Sequence, residues 1–248
     1  KRMYDIIGDI HGYADELESL LRKLGYQEQS GIYRHPDRKV IFVGDFIDRG
    51  PRIDRVLQIA RNMVESGTAL AVLGNHELNA IAYATPDPLN SGEYMRPHTE
   101  KNRKQHRATI DQLTQSGDLQ SHLDWFRTLP IALDLGELRI VHACWDDEHI
   151  ARIEKYRPRS EPISDTFIEQ AYRKGTELYE SMEATAKGKE AKLPNGYTFG
   201  DKEGKLRCEI RVQWYRSSLG ETFASYALQS DPIVCDHPLP ESVHRAAR

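Results

Sequence analysis

Four short apolar segments, each ending at a polar or metal-ligating residue, are the feature that most restricts how this chain folds. Three of them, residues 3–8, 39–44 and 69–74, lie in the first third of the sequence. The first two are each followed by a helical pattern of apolar residues, and strands that alternate with helices are typical of βαβ units. The sequence therefore predicts an α/β protein whose sheet has helices packed on it.

Apolar residues at helical spacing predict the two helices that connect these strands. The first helical face comprises Leu17, Leu20, Leu21 and Leu24, and the second comprises Val56, Leu57, Ala60, Met63 and Val64. Gly25 and Gly67 follow the two patterns, and glycine is the residue preferred just after a helix C-terminus. A fourth strand is expected at 138–142, paired with 131–135.

Residues 77–130 show little alternation of β-branched and polar residues, so we expect a helical insertion there. Its basic residues are Arg96, His98, Lys101, Arg103, Lys104, His106 and Arg107. We interpret this run as a solvated helix face, as most charge runs are, with a substrate-facing surface as the alternative. Beyond residue 150 the patterns predict a helix around 167–172 and strands at 197–199 and 206–212, on either side of a turn at 201–204.

The composition favours one globular domain over residues 1–248, since 39% of the residues are apolar and 29% are charged. Lys and Arg number 34 against 38 Asp and Glu, which argues against general nucleic-acid binding. No apolar segment approaches the roughly 20 residues needed to span a membrane. Three scattered cysteines do not form a disulfide framework, so we expect a reducing, cytoplasmic location. The oligomeric state is left open.

Each predicted strand runs directly into metal-capable side chains. The four segments read GDIHG at 8–12, GD at 44–45, GNHE at 74–77 and VHA at 141–143. A single Asp or His in such a place is more often a helix cap or a paired polar group. Ligands in open α/β sheets gather beyond the carboxyl ends of the strands, so four such ends predict one shared cleft. Mixed carboxylate, amide and imidazole donors suit Mn²⁺, Fe or Zn²⁺ rather than Ca²⁺.

The motifs GDIHG at 8–12, GDFIDRG at 44–50 and GNHE at 74–77 resemble the three signature motifs of the calcineurin-like metallophosphoesterases. The resemblance is to the branch that contains phosphoprotein phosphatases and symmetrical dinucleoside tetraphosphatases. It covers residues 3–78 and extends to VHA at 141–143. The resemblance implies a metallophosphoesterase-type sandwich of two mixed β-sheets flanked by helices.

The resemblance also implies a two-metal centre. Asp9 and His11 are expected to hold the first cation, Asp45 to bridge both, and Asn75 and His142 to hold the second. We expect two divalent ions, with Mn²⁺ preferred and Fe, Zn²⁺, Ni²⁺ or Mg²⁺ as alternatives. Two such ions about 3.5–4 Å apart generate hydroxide at neutral pH and hold both the nucleophile and the phosphoryl oxygens, so the expected reaction is hydrolysis of a phosphate ester by metal-bound hydroxide.

Three further residues receive roles from the same resemblance. His76 is expected to protonate the leaving oxygen, with Asp48 orienting its imidazole. Arg49, together with His76, is expected to contact the substrate phosphate, because a guanidinium matches phosphate geometry and stays charged. This chemistry needs no Ser or Cys nucleophile.

One element of the family pattern is missing. Members normally supply a further histidine from a late strand, often as Gly-His, and this sequence has no Gly-His pair after residue 150. His237, which follows a possible strand at 231–235, is the better of two late candidates; His244 is the other. The alternative is that the chain is truncated before the motif.

The expected activity is that of a metal-dependent phosphoesterase resembling a serine/threonine protein phosphatase. Hydrolysis of dinucleoside polyphosphates such as diadenosine tetraphosphate is the first alternative, since the motifs do not separate the two. A catalytically impaired phosphate-binding regulatory module without the second metal is the other. The expected partners are a phosphorylated protein or a small phosphate ester or nucleotide, and no membrane.

Overall fold

A computed structural model describes residues 3–194, 196–200, 206–228, 237–239 and 243. Its strands are β1 (Met3–Ile7), β2 (Gln27–Gln29), β3 (Ile32–Arg34), β4 (Arg38–Phe42), β5 (Ala69–Ala71), β6 (Ala132–Asp134), β7 (Arg139–Val141), β8 (Glu190–Lys192), β9 (Phe199–Gly200), β10 (Leu206–Arg207) and β11 (Glu209–Arg211). Its helices are α1 (Ala14–Lys23), α2 (Ile53–Glu65), α3 (Asn75–Ala84), α4 (Glu100–Ser116), α5 (Leu119–Thr128), α6 (Asp147–Tyr156), α7 (Asp165–Tyr172), α8 (Glu177–Lys187) and α9 (Phe223–Tyr226).

A parallel sheet of order β1-β4-β5 forms the centre of the N-terminal half. Central strand β4 pairs Ile41 with Ile6 on one side and with Leu70 on the other. The chain reaches β4 through α1 and the β2–β3 hairpin, and reaches β5 through α2. All three strands therefore end at the same edge. The predicted strands and helices are confirmed, although Leu20 of the predicted α1 face is exposed.

Both faces of the sheet are covered. Val40 and Phe42 of β4 belong to the main core with α1, α2, α3 and α5, whereas Ile41 packs on the other face against Val72 and Ile140. Ile140 belongs to β7, which pairs antiparallel with β6 as predicted. Burial of each such side chain contributes roughly 1.5–3 kcal/mol. The α/β class, with parallel and antiparallel sheets and packed helices, is confirmed.

Helices α3, α4 and α5 occupy most of the segment between the third and fourth predicted strands. Thr99 caps the start of α4 by accepting a hydrogen bond from Asn102 N, and Gly117 ends the helix with a left-handed φ of 80°. The buried face of α4 presents His106, Thr109 and Leu113. Its exposed face carries four basic residues, Lys101, Arg103, Lys104 and Arg107.

The C-terminal third contains α6, α7 and α8, followed by short antiparallel strands. Helix α7 matches the pattern predicted around 167–172. Strands β9 and β10 pair with each other and β11 pairs with β8, close to the predicted strand positions. The predicted turn at 201–204 lies outside the described residues. Across the described part of the chain, no helix is both long and apolar enough to traverse a bilayer.

Candidate metal centre

The edge where the strands end brings the predicted ligands together. Asp9 follows β1, Asp45 follows β4, Asn75 opens α3 after β5, and His142 follows β7. Ligand atoms of Asp9, Asp45 and His142 all lie within 4.8 Å of one another, and so do those of His11, Asp45 and His76. Asp45 belongs to both groups, so it occupies the centre of the cluster.

Two glycines allow the loops after β4 and β5 to cross at Asp45. Gly44 has a φ of 89°, and a Cβ at this position would collide with the backbone of Gly74. A Cβ on Gly74 would in turn collide with the side chain of Asp45. Asp45 itself has a φ of 56°, a left-handed conformation that an L-residue keeps only when its surroundings fix it.

Glu77 is the residue that fixes these loops. Its carboxylate is fully buried and accepts hydrogen bonds from the backbone nitrogens of Asp45 at 2.8 Å, Phe46 at 2.7 Å and Gly74 at 3.1 Å. Burial and the charge of Asp45 raise the pKa of Glu77. Glu77 lies in the GNHE motif, but no role was predicted for it. Its bond to Gly74 has the local spacing of a capping box, whereas its bonds to Asp45 and Phe46 span more than 30 positions and leave no local pattern.

His11 shows most directly that the cluster suits a cation. Its Nδ1 donates to the carbonyl of Ile47 at 2.8 Å, so the neutral ring carries its proton there and keeps a lone pair on Nε2. Nε2 is buried without a hydrogen-bond partner, 3.8 Å from an Asp9 oxygen and 3.7 Å from an Asp45 oxygen. Burial lowers the pKa of His11, which favours this neutral ligand form.

His142 has the same arrangement on the other side of Asp45. Its Nδ1 donates to the carbonyl of Val43 at 2.6 Å, which leaves Nε2 without a proton in the neutral ring. Nε2 lies 3.1 Å from the side-chain oxygen of Asn75 and 3.6 Å from an oxygen of Asp45. Acceptor atoms that face one another in this way match the ligands of a shared cation. The donor set therefore fits divalent metals with a preference for mixed nitrogen and oxygen ligands.

His76 and Asp48 form a buried pair beside the cluster. His76 Nδ1 lies 2.5 Å from an Asp48 oxygen, and His76 Nε2 lies 3.9 Å from Asp45. Burial opposes the charged form of His76, but the hydrogen bond to Asp48 and the charge of Asp45 raise its pKa. Burial likewise opposes ionisation of Asp48, yet hydrogen bonds from His106 and His76 hold the pKa of Asp48 well below its usual range.

The cluster opens to solvent on the side of Asp9 and Arg49. The Asp9 side chain is 56% exposed, whereas those of His11 and Asp45 are 6% and 4% exposed. Arg49 is exposed and follows Asp48 with the same left-handed φ of 67°. Its charge contributes to the lowered pKa of His11, so the guanidinium acts on the cluster electrostatically.

The late-histidine candidate lies elsewhere among the described residues. His237 is exposed, its ring centroid lies 5.3 Å from that of Tyr197, and its carbonyl accepts from Phe223 N. It belongs to neither group of metal-capable residues found in the described part of the chain. The possible strand at 231–235 and His244 lie outside the described residues.

The interpretation of the basic run as a solvated face holds for the four exposed basic residues of α4 and is wrong for His106. His106 is 4% exposed and hydrogen-bonds to Asp48 at 2.7 Å, next to Thr109, which also contacts Asp48. Arg96 and His98 are half-buried. The spacing of His106, Thr109 and Leu113 along one face of the helix is the sequence pattern from which burial of His106 could have been predicted.

A shared carboxylate, converging imidazole Nε2 atoms and an adjacent His–Asp pair are the features of a metal-dependent hydrolase site. The sequence model of the calcineurin-like phosphoesterases matches residues 4–203. The chain therefore belongs to the calcineurin-like phosphoesterase family, as its motifs indicated.

Individual relatives match shorter parts of the chain. An asymmetrical bis(5'-nucleosyl)-tetraphosphatase, PrpE, from Halalkalibacterium halodurans is 50% identical over 74 residues, 29% of this chain and 30% of the relative. The PrpE of Bacillus subtilis is 31% identical over 146 residues, 56% of this chain and 57% of the relative. The crystal structure of a cold-active protein-tyrosine phosphatase from a Shewanella species aligns with 73% of this chain and 53% of its own, at 17% identity and a TM-score of 0.41.

Proposed function

We propose that this chain is a metal-dependent phosphoesterase that hydrolyses dinucleoside polyphosphates such as diadenosine tetraphosphate. The observation that carries the proposal is the convergence of two metal-capable groups on Asp45, with the His76–Asp48 pair beside them. The names of the similar PrpE proteins favour this substrate over the phosphoprotein expected first. The matches cover 30% and 57% of the lengths of these two relatives, so the substrate is our proposal and is not carried over from them.

The proposed ligand roles draw on both groups, with His76 left out because it is the proposed general acid and Asn75 added because its side-chain oxygen lies 3.1 Å from His142 Nε2. Asp9, His11 and Asp45 would hold one cation, and Asp45, Asn75 and His142 would hold the second. When bound, divalent cations supply positive charge to phosphate oxygens and lower the pKa of water toward neutrality. The carbonyls of Ile47 and Val43 keep the two imidazoles in the ligand tautomer, and Glu77 keeps Asp45 in place.

The remaining side chains act on the substrate. His76 presents Nε2 toward the cluster, where it donates a proton to the leaving oxygen, while Asp48 holds Nδ1. Arg49 lies at the open side, where its guanidinium pairs with phosphate oxygens. Cys144 is buried, and burial raises the pKa of its thiol to about 11, in accord with a reaction that uses no cysteine nucleophile.

We also propose an architecture for the chain. The parallel sheet and the β6–β7 hairpin face each other through Ile41, Val72 and Ile140. We take them as parts of the two layers of a sandwich in a single domain, with residues 77–130 as a helical insertion.

The decisive assay compares substrates on purified protein with added Mn²⁺. We expect hydrolysis of diadenosine tetraphosphate, with ATP and AMP as products of asymmetrical cleavage or ADP alone as the product of symmetrical cleavage. D45N is the matched inactive control. Faster turnover of a phosphoserine peptide would favour the protein phosphatase interpretation instead. Bound phosphate without turnover, at one metal equivalent or fewer, would favour the regulatory module.

A further inference from the structure

Helix α4 holds Asp48 from the side opposite His76. His106 Nδ1 lies 2.7 Å from Asp48 Oδ1, and the Thr109 hydroxyl donates to the same oxygen at 2.6 Å. The other oxygen, Oδ2, faces His76 Nδ1 at 2.5 Å. All four side chains are buried. The carboxylate thus links the insertion helix to the imidazole beside the metal-capable cluster.

The protons in this network have fixed positions. An ionised carboxylate only accepts hydrogen bonds, so His76 and His106 each carry a proton on the Nδ1 that faces Asp48. Three donors on one buried carboxylate favour its charged form. The His76 ring is then fixed with Nε2 toward the cluster, 3.9 Å from Asp45.

Thr109 also holds the backbone of Asp48, which has a left-handed φ of 67°. The Thr109 hydroxyl oxygen accepts from Asp48 N at 2.9 Å while its proton goes to the Asp48 carboxylate. His106 is supported in turn by Tyr83, whose ring lies edge-on at 5.2 Å and stacks on His98 at 3.8 Å. The contact is thus part of a packed, hydrogen-bonded unit.

We propose that His106, assisted by Thr109, is a positioning residue for His76. By holding Asp48 it keeps the His76 imidazole aligned for proton donation to the leaving oxygen. This inference rests on the proposed function, because it takes His76 as the general acid. It predicts that loss of the His106 hydrogen bond matters most where the leaving group most needs a proton.

Two aryl phosphates distinguish positioning from general damage. Phenolate is a far more basic leaving group than p-nitrophenolate, so phenyl phosphate depends more on the acid. We expect H106L to lower kcat about tenfold for phenyl phosphate and at most about twofold for p-nitrophenyl phosphate, a part of the roughly 10²–10⁴-fold that general acid catalysis supplies. H106Q retains an N–H donor, so the ratio of its kcat values for the two substrates should stay near that of the wild type. T109S keeps the hydroxyl donor and should behave like H106Q, whereas T109V lacks it and should behave like H106L.

Q112A is the matched control for damage to α4. Gln112 accepts from Ile53 N at 2.7 Å and donates to the carbonyl of Gly50 at 3.1 Å, so it docks the same helix onto the same loop without contacting Asp48. Q112A should change kcat for both substrates by the same factor. If H106L also lowers both kcat values by the same factor, or lowers neither, the proposal is overturned.

A second measurement does not require turnover. In protein labelled with ¹⁵N-histidine, the hydrogen bonds to Asp48 should give two strongly downfield imidazole N–H signals. H106L should remove one and shift the other, whereas H106Q should remove one and leave the other in place. An unshifted His76 signal in H106L would overturn the proposal. If the wild-type protein hydrolyses no phosphate ester at all, the proposed function fails, and these spectra still decide the role of His106 in holding His76.

Discussion

The two metal-capable groups share Asp45 but are built differently. On one side His11 and His76 are buried and are held by the Ile47 carbonyl and by Asp48. On the other side the Asp9 side chain is more than half exposed, although that of His142 is only 9% exposed. The buried side is fixed by hydrogen bonds among residues that lie close in the fold, so its geometry exists before any ligand arrives. The open side is where a substrate phosphate has access.

Replacing Asp45 should have the largest effect, because it removes the side chain common to both sides. We expect D45N to lose more activity than the roughly 10–100-fold that loss of an outer partner of a metal ligand costs. Metal analysis of the same sample should show loss from both groups. A variant that keeps two equivalents and full turnover would contradict a shared role for Asp45.

The two proposed cation sites should differ in affinity for Mn²⁺. Titration calorimetry on metal-free protein is expected to show a tighter class for the site of Asp9, His11 and Asp45, which has two carboxylates, and a weaker class for the site of Asp45, Asn75 and His142, which has one. H11A should weaken mainly the tighter class and H142A mainly the weaker one. Equal weakening of both classes by each variant would show that the two sites act as one unit.

Glu77 stabilises the buried side without facing a substrate. In E77Q an amide replaces a carboxylate that accepts three backbone hydrogen bonds, and one of its buried N–H groups would face a backbone N–H. We expect a loss of about 1–3 kcal/mol in the free energy of unfolding, measured by urea denaturation. E65Q, on an exposed residue of α2, is the control and should change the free energy by at most about 0.5 kcal/mol. Equal stability of the two variants would show that the three backbone hydrogen bonds to Glu77 do not stabilise the fold.

The smallest effect is expected on the exposed face of α4. Replacing Arg103, Lys104 and Arg107 together by Gln should leave KM for diadenosine tetraphosphate within about twofold, because exposed charges are screened and contribute little. A clear rise in KM that disappears at high salt would instead indicate that this face binds the polyphosphate chain of the substrate.

The local sequence predicted much of the buried side. Apolar runs and helical spacing located β1, β4, β5, α1 and α2, and the motif residues follow those strands directly. His106 was missed as a partner of Asp48 because the two residues are 58 positions apart and basic neighbours surround His106 in the sequence. Thr109 and Glu77 were missed for the same reason, since Thr109 is 61 positions from Asp48 and Glu77 is 32 positions from Asp45.

The sequence alone determined the order of β1, α1, β4, α2 and β5 and the chemical identity of the candidate ligands, because periodicity, glycine positions and side-chain type are properties of short segments. Tertiary structure decided which nitrogen of each histidine is free to bind. The carbonyl of Val43, 99 positions before His142, sets the tautomer of that ring, and the carbonyl of Ile47 does the same for His11. Such choices depend on buried donors and acceptors that meet only when the sheet and its helices pack.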